Sequence, residues 1–303
     1  MTITTHASFA GATAAQVRAA LACAEQIEAS AGAPLSEDDL ALALYRHWYV
    51  GPVTPEPVEE WWPPLAGMFR AAHAGGTVWA DRDAEVVTGG IAGVAVVRSA
   101  SGPRALCQGD YVSAGGAGLA PRRGSRVRAC ARHGAMVADG WWRTWGPAWD
   151  RRSTPPGLVR VYFAARLAQA PELVARVTGV LVRSAEPWAF KIGVDAATLA
   201  RADAAVAYLP TGAWDAVAPL LVPACADLLR PAVPPLTSPV APGIGLADDP
   251  GGELSFGESR CRLLARAHRL RGSGADPVAV AARVFADHGL DPSAPHLRSS
   301  ADR

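Results

Sequence analysis

The sequence almost lacks lysine. Lysine and arginine together number 29, and Lys191 is the only lysine among them. Arginine stays protonated in proteins, whereas lysine can lose its proton when it is desolvated or lies near other cations. A lone lysine in a chain that otherwise uses arginine therefore marks a position where a deprotonatable amine is a candidate requirement.

Charge of either sign is also scarce. Charged residues make up 19% of the 303 residues, and the formal net charge is +1. This balance gives no general attraction for nucleic acid or for an anionic membrane surface, so neither is expected as a partner. Half of the residues are hydrophobic, which indicates a globular protein with a sizeable core and only local cationic sites.

The chain has no cysteine motif and no long apolar run. Its 5 cysteines are scattered, without CxxC or Cys/His metal spacing: Cys23, Cys107, Cys130, Cys225 and Cys261. Free thiols in a reducing cytosol are predicted rather than a disulfide framework. The N-terminus lacks the basic and apolar regions of a signal peptide, and no run approaches the about 18 apolar residues of a membrane helix. We therefore expect a cytoplasmic protein without a membrane partner.

Helical patterns dominate the first part of the chain. Thr13 and Gln16 have the spacing of a capping box, and Ser36 is a candidate start of a second helix that Gly51-Pro52 would end. Residues 77–150 instead show short β-like runs divided by glycines, which predict a bent antiparallel sheet. The tryptophan-rich WWRTWGPAW (141–149), at the end of this region, is interpreted as a loop that plugs the core or forms its rim.

The second half mixes strands and helices without regular alternation, which predicts an α+β fold. A capping box at Ser255 and Glu258 and an Asp276-Pro277 pair mark helix starts. We expect a helical N-terminal part packed on a bent, mainly antiparallel sheet with flanking helices. The prediction is one domain over 1–303, with a helical subregion 1–75, a catalytic body 76–289 and a loose tail 290–303.

Lys191 lies within the predicted strand WAFKIGV (188–194). Strand periodicity places Phe190 and Ile192 on one face and Lys191 on the other, between the small residues Ala189 and Gly193. One interpretation is a lysine solvated on the wet face of a sheet. The other is a base or a Schiff-base amine with open space around it.

Several arginines fit a phosphate site. Arg160 and Tyr162 share a strand face, Arg201 follows Lys191 closely, and Arg260 lies in the first turns of a helix. Arginine binds phosphate bidentately, and helix N-termini add backbone donors. Each arginine alone also fits a solvated surface, as does the basic segment PRRGSRVRACARH, which ends at His133. Only their convergence would make a site.

Three segments resemble the HopA family in the same order: RVYF (160–163), AFKIGVDAATLARADAAVAYL (189–209) and APGIGLADDPGGELSFGESRCRLLARA (241–267). The resemblance covers about residues 157–270. That family includes bacterial type III effectors and cytosolic enzymes that make class V lanthipeptides and thioamide-containing relatives. It implies a phosphoserine/phosphothreonine lyase acting on a precursor peptide that a partner kinase phosphorylates, leaving dehydroalanine or dehydrobutyrine. No metal, nucleotide or organic cofactor is expected.

The resemblance implies a role for each candidate residue. Lys191 would be the base, and Arg160, Arg201 and Arg260 would bind the phosphate. Tyr162 would donate a hydrogen bond to the phosphate or to the enolate-like oxygen.

The general acid is harder to assign. His133 is the first choice and His47 the second, although either also fits a structural or exposed role. Glu258 is expected to cap its helix, and Asp203 to orient a basic residue.

Other functions stay open at this stage. A non-catalytic phosphopeptide-binding or kinase-scaffolding protein would use the same basic pocket, and a host-directed effector is a further alternative. The predicted helix near Thr13 favours a biosynthetic enzyme over an exported effector. A phosphatase is disfavoured by the lack of a metal cluster or a cysteine-phosphatase loop in the sequence.

Overall fold

The computed structural model describes residues 9–51, 64–75, 79–89, 94–99, 102–106, 108–113, 121–130, 134–150, 155, 157–272 and 274–298. The α-helices in these ranges are α1 (Gly11–Ala31), α2 (Glu37–Leu44), α3 (Leu65–Ala72), α4 (Ala170–Leu181), α5 (Ala196–Leu199), α6 (Thr211–Cys225), α7 (Phe256–Leu270) and α8 (Pro277–Asp287). A π-helical turn, Tyr45–Tyr49, continues α2. Short 3-10 turns occupy Leu167–Gln169 and Ala226–Leu228.

The strands form two sheets. They are β1 (Trp79–Gly89), β2 (Ala95–Ser99), β3 (Gly102–Leu106), β4 (Tyr111–Ser113), β5 (Arg126–Cys130), β6 (Gly134–Ala138), β7 (Trp141–Trp145), β8 (Leu158–Phe163), β9 (Ala189–Gly193), β10 (Ala205–Pro210), β11 (Ser238–Ala241) and β12 (Ile244–Asp248). A five-stranded sheet has the order β3-β2-β1-β5-β4, and a seven-stranded sheet has the order β11-β12-β8-β10-β9-β7-β6. Every strand pair described is antiparallel. The α+β class is confirmed, but the strands divide between two sheets where the sequence predicted one.

Capping side chains mark the starts of several helices. The Ser36 side chain accepts a hydrogen bond from the amide of Asp39 at the start of α2. Ser255 and Glu258 form the predicted capping box of α7. Asp276 caps α8 through the amide of Val278, ahead of the proline at the first helical position. These residues satisfy amides that have no partner inside the helix.

The predicted capping box at Thr13 and Gln16 is wrong. Helix α1 already begins at Gly11, and its N-cap, Ala10, provides no side-chain hydrogen bond. The preceding Phe9 is buried and packs edge-to-face on Phe285 of α8, with ring centroids 5.2 Å apart. This packing fixes the chain just before the helix, so the first turn forms ahead of the residue that local chemistry favoured.

Helices cover both faces of the seven-stranded sheet. One face, which includes Val161 and Phe190, packs against α3, α4 and α6. On the opposite face, Tyr162 and Val206 join the core formed by α1, α2, α7 and α8. All six residues of β8 are consequently buried. Arg160 and Tyr162 share one face of β8, as the alternation predicts, and both faces of the strand are covered by helices.

The five-stranded sheet has its own small apolar core. Its members are Ala84, Val86, Ala95, Val97, Leu106, Val127 and Ala129. Strands β6 and β7 follow it in the chain but pair within the seven-stranded sheet. The single domain over residues 1–303 stays a prediction.

The sequence predicts free thiols and no membrane helix. Cys23, Cys225 and Cys261 are free thiols, and the side chains of the other two cysteines lie outside the described residues. None of the helices in the described ranges combines the length and hydropathy needed to cross a membrane.

Candidate functional site

Lys191 lies in the interior of the seven-stranded sheet. Strand β9 is hydrogen-bonded between β10 and β7, which places Lys191 opposite Val206 on one side and Arg143 on the other. Phe190 and Ile192 are buried in the core on the other face, whereas Lys191 is half-buried. The alternation predicted for this strand is confirmed.

The Lys191 ammonium contacts aromatic rings and no carboxylate. Its Nζ atom lies 4.3 Å from the centroid of the Trp141 ring and 6.0 Å from that of the Tyr208 ring. Within the described part of the chain it makes no hydrogen bond or ion pair. Aromatic faces attract a cation without taking its protons. The amine is therefore held in place while its hydrogen-bonding capacity stays available.

Arg201 and Lys191 both contact the Trp141 ring. Its Cζ atom lies 5.5 Å from the centroid of that ring. Its Nε and Nη2 donate to the two carboxylate oxygens of Asp203, each at 2.7 Å. The expectation that Asp203 orients a basic residue is confirmed. Because both oxygens are engaged, the guanidinium plane has a fixed direction.

Tyr45 adds a third contact to Arg201. The Arg201 Nη2 also donates to the Tyr45 hydroxyl oxygen at 2.8 Å, and the Arg201 Cζ lies 5.6 Å from the Tyr45 ring. Burial and the charge of Asp203 raise the pKa of Tyr45 to about 12, against the opposing charge of Arg201. The phenol therefore keeps its proton at neutral pH.

Arg160 approaches Lys191 from the other side. It lies opposite Tyr208 in the β8–β10 pair, with its Cζ 5.4 Å from the Tyr208 ring centroid. Its Nε donates to Asp249 at 2.6 Å, and both side chains are almost fully buried. Tyr208 thus lies within cation–π distance of Arg160 and of Lys191.

Tyr162 lies two residues further along β8, on the same sheet face as Arg160. Its side chain is buried. Burial raises the pKa of its phenol above the ordinary value, although the charge of Arg160 opposes this shift. Tyr162 is therefore a neutral hydroxyl donor next to a cation.

Arg260 has a different environment from the other two arginines. It is 2% exposed. Its Nε donates to the Pro295 carbonyl at 2.8 Å, and its Nη2 donates to the Leu297 carbonyl at 3.1 Å. Burial lowers the pKa of Arg260 to about 10, so it stays charged at neutral pH. These contacts tie α7 to the C-terminal residues. Arg260 also lies over the Phe256 ring, with its Cζ 4.6 Å from the centroid, and Phe256 packs on Tyr162. No contact among the described residues joins Arg260 to Lys191, and its binding of phosphate stays a prediction.

The two candidate general acids are not part of the described cluster. His133 lies outside the described residues. His47 is exposed on the π-helical turn. No acid for a leaving group is therefore assigned by the geometry.

Three aromatic residues of the site were missed from the sequence: Tyr45, Trp141 and Tyr208. The signal for Trp141 was strand alternation within WWRTW, since Trp141 pairs with Gly193 on the face of Lys191 while Trp142 is buried on the other face. Tyr45 had no such signal, because it comes from a distant helical segment.

The assembled site combines three cations with two carboxylates, which leaves a positive balance suited to an anion. Lys191, Arg160 and Arg201 surround two aromatic rings, and the two arginines are held by buried carboxylates. Arginines and an ammonium in partly buried surroundings bind a phosphate group strongly. Across the described ranges, no group of three or more His, Cys, Asp and Glu side chains forms a potential metal site.

Comparisons with known proteins agree with this fold. By structure, the chain is similar to an effector protein from Pseudomonas syringae pv. tomato strain DC3000, with a TM-score of 0.55 and 12% identity, over 94% of this chain and 100% of that one. It is similar to an effector protein from Pseudomonas syringae pv. syringae strain 61, with a TM-score of 0.56 and 11% identity, over 95% of this chain and 99% of that one. At such identities the likeness shows the fold. A comparison with curated proteins finds no match.

The sequence also matches a family model directly. The model of the HopA1 effector protein family matches residues 133–297, a range that contains Lys191, Arg160 and Arg201 but begins well after Tyr45. Because this match covers more than half of the chain, the protein belongs to the HopA1 effector protein family.

Proposed function

We propose that the protein is a cytoplasmic phosphoserine/phosphothreonine lyase. Its substrate would be a ribosomal precursor peptide that a partner kinase has phosphorylated, and its product would contain dehydroalanine or dehydrobutyrine for lanthipeptide-type biosynthesis. One observation carries the proposal: the Lys191 amine has no acidic partner among the described residues, and it shares the Trp141 ring with Arg201 and the Tyr208 ring with Arg160.

The reaction begins with removal of the α-proton of the phosphorylated residue. Neutral Lys191 accepts this proton, and the electron pair of the Cα–H bond forms the Cα=Cβ double bond. The Cβ–O bond breaks, and its electrons leave with the phosphate. Lys191 must then release its proton to solvent before the next turnover. A base held next to a bound peptide makes this step efficient although the α-proton is weakly acidic.

The arginines serve the leaving group. As the Cβ–O bond breaks, negative charge grows on the phosphate, and Arg160 and Arg201 are the cations placed to stabilise it. Their buried carboxylate partners, Asp249 and Asp203, fix their directions in advance. Tyr162, next to Arg160, is the proposed hydroxyl donor. His133 is kept as the acid that protonates the departing phosphate, on sequence grounds alone.

A binding-only function is the second candidate, and one observation favours it. Arg160 and Arg201 each form an ion pair with a carboxylate, a rigid arrangement that recognises phosphate without any chemistry. The family and its structural relatives carry the description of effector proteins, so a host-directed phosphopeptide binder would also fit.

Mass spectrometry of a phosphothreonine peptide incubated with the purified protein separates these functions. Elimination removes phosphoric acid and leaves an alkene, hydrolysis leaves the threonine hydroxyl, and binding alone leaves the mass unchanged. We expect the alkene product, and none from the unphosphorylated peptide. If a cognate precursor phosphorylated by its kinase gives no alkene, the lyase proposal is wrong.

A further inference from the structure

We propose that Tyr45 is a positioning residue of the phosphate site, acting through Arg201. Its hydroxyl oxygen accepts a hydrogen bond from Arg201 and holds the guanidinium on the side of the sheet where Lys191 lies. This inference rests on the proposed phosphopeptide site. It assigns part of that site to the N-terminal helical segment, outside residues 133–297 of the family match.

Two restraints from different parts of the fold define the position of Arg201. Asp203 engages Nε and Nη2 from the same loop, and Tyr45 engages Nη2 from the helical layer. Nη1 makes no hydrogen bond with a described residue. The Nη1 amino group is therefore available to a phosphate oxygen, and the two partners prevent the guanidinium from rotating away.

Tyr45 lies at the start of the π-helical turn. The amide of Val50 donates to the Tyr45 carbonyl, five residues back, so the helix widens directly after α2. Such widened turns occur frequently at functional sites. Tyr45 stacks on Tyr49, with ring centroids 5.5 Å apart and an interplanar angle of 15°.

Tyr49 in turn is locked against α7. A Cβ atom at Gly257 would lie only 2.3 Å from a carbon of the Tyr49 ring, so the absence of a side chain there lets the ring fit. Tyr49 is 2% exposed. Packing of Tyr49 against Gly257 therefore holds Tyr45 in place, and Tyr45 in turn holds Arg201.

The two tyrosines of the turn differ in one respect that makes a matched pair of variants. The Tyr45 hydroxyl has Arg201 as a partner, whereas the buried Tyr49 hydroxyl has no hydrogen-bond partner among the described residues. Tyr45→Phe and Tyr49→Phe each remove one oxygen and keep the ring. Only Tyr45→Phe should release Arg201.

The experiment measures binding and turnover of a phosphothreonine peptide by both variants and the wild type. Calorimetry gives Kd for this peptide and for its unphosphorylated form, and mass spectrometry gives kcat and KM. We expect Tyr45→Phe to raise Kd and KM about tenfold, as for a lost hydrogen bond to a charged group, with kcat within about twofold of wild type. Tyr49→Phe should bind like the wild type, and thermal unfolding should show that both variants are folded.

The outcomes separate this inference from the proposed function. Unchanged Kd for Tyr45→Phe, or equal weakening by both variants, overturns the positioning role. Binding by the wild type without alkene formation rejects the lyase, while the two Kd values still decide the role of Tyr45. Equal wild-type affinity for the phosphorylated and unphosphorylated peptides rejects the phosphate site and this inference together.

Discussion

At the scale of single residues, the proposed elimination depends on the difference between lysine and arginine. Either residue would carry a positive charge at position 191, but only lysine can become a neutral base at accessible pH. Trp141 and Tyr208 provide aromatic contacts that an arginine can also make. Replacement of Lys191 by arginine is therefore a test of proton transfer that leaves charge and packing nearly constant.

We expect Lys191→Arg to abolish elimination and to keep phosphopeptide affinity. Loss of the base should reduce kcat by at least about 100-fold, measured by mass spectrometry of the alkene product, with Kd from calorimetry within about threefold of wild type. The matched control is Arg143→Lys, the reverse exchange at the residue directly opposite in β7. Full turnover by Lys191→Arg would show that Lys191 is not the base.

Arg260 illustrates what the sequence could not show at this scale. Its position early in α7 suggested a phosphate ligand, because helix N-termini attract anions. In the structure the side chain donates to the backbone carbonyls of Pro295 and Leu297, and its binding of phosphate stays a prediction. Those partners are carbonyls of the C-terminal segment, which carry no side-chain signature. By contrast, Arg201 and Asp203 are two residues apart, and their pairing could be predicted.

The hydrogen bonds from Arg260 to the C-terminal segment lead to a prediction about stability. Arg260→Met should lower the free energy of unfolding by roughly 3 kcal/mol, because one buried and one partly buried carbonyl lose a charged donor, and it should leave KM for the phosphopeptide unchanged. Urea denaturation measures the first quantity and elimination kinetics the second. Arg262→Met, at an exposed ion pair with Asp38, should change stability by less than about 0.5 kcal/mol. A raised KM with unaltered stability would restore Arg260 as a phosphate ligand.

At the scale of elements, sequence periodicity predicted which residues share a face of a strand. It did not predict which helices pack on that face. Phe190 and Ile192 were correctly placed inward in β9. In β8, however, Tyr162 belongs to a second core, made with helices far away in the sequence. Alternation distinguishes two faces of a strand, but a helix that arrives from elsewhere decides whether a face is wet. The same limit hid Tyr45 from the sequence-based site.

Helices α1 and α7 are joined by a partly buried carboxylate. Glu28 lies 2.6 Å from Arg269 Nη2 and 2.9 Å from His268 Nε2, and it accepts the amide of Leu35 at 2.9 Å. Burial alone would raise the pKa of Glu28, but hydrogen bonds from His268, Arg269 and Leu35 lower it from 4.5 to about 2. The charged form is thus favoured in the folded state.

This carboxylate makes stability depend on pH in a definite direction. Because its pKa is lower in the folded than in the unfolded chain, Glu28 contributes fully above pH 4.5, and the contribution disappears as the pH falls toward 2. Glu28→Gln should cost about 2 kcal/mol at neutral pH, and its difference from wild type should shrink below pH 4.5, as measured by urea denaturation across pH. Glu172→Gln, at an exposed pair with Arg176, is the control. A difference that stays constant with pH would contradict the assignment.

At the scale of the whole molecule, the apolar cores are arranged around the sheets rather than along the chain. The seven-stranded sheet carries a core on each face, which unites α1 with α7 and α8 and encloses the strands of the site. The five-stranded sheet has a smaller core that shares none of these residues. Because the site strands are supported from both faces, the fold holds Arg160 and Lys191 at a fixed separation, which the proposed elimination would need.

Separate cores predict separate stabilities. A small core buries less apolar surface, so the five-stranded sheet should open at a lower free energy than the seven-stranded sheet. We expect native-state hydrogen exchange to show weaker protection of amides in β1 and β5 than in β8 and β10. Val127→Ala, in the small core, should accelerate exchange in the five-stranded sheet alone. Val161→Ala, which is equally buried in β8, should lower the free energy of global opening by roughly 2 kcal/mol. If Val127→Ala instead accelerates exchange equally in both sheets, the two sheets unfold as one unit, and the single cooperative domain predicted over residues 1–303 would be correct in that strict sense.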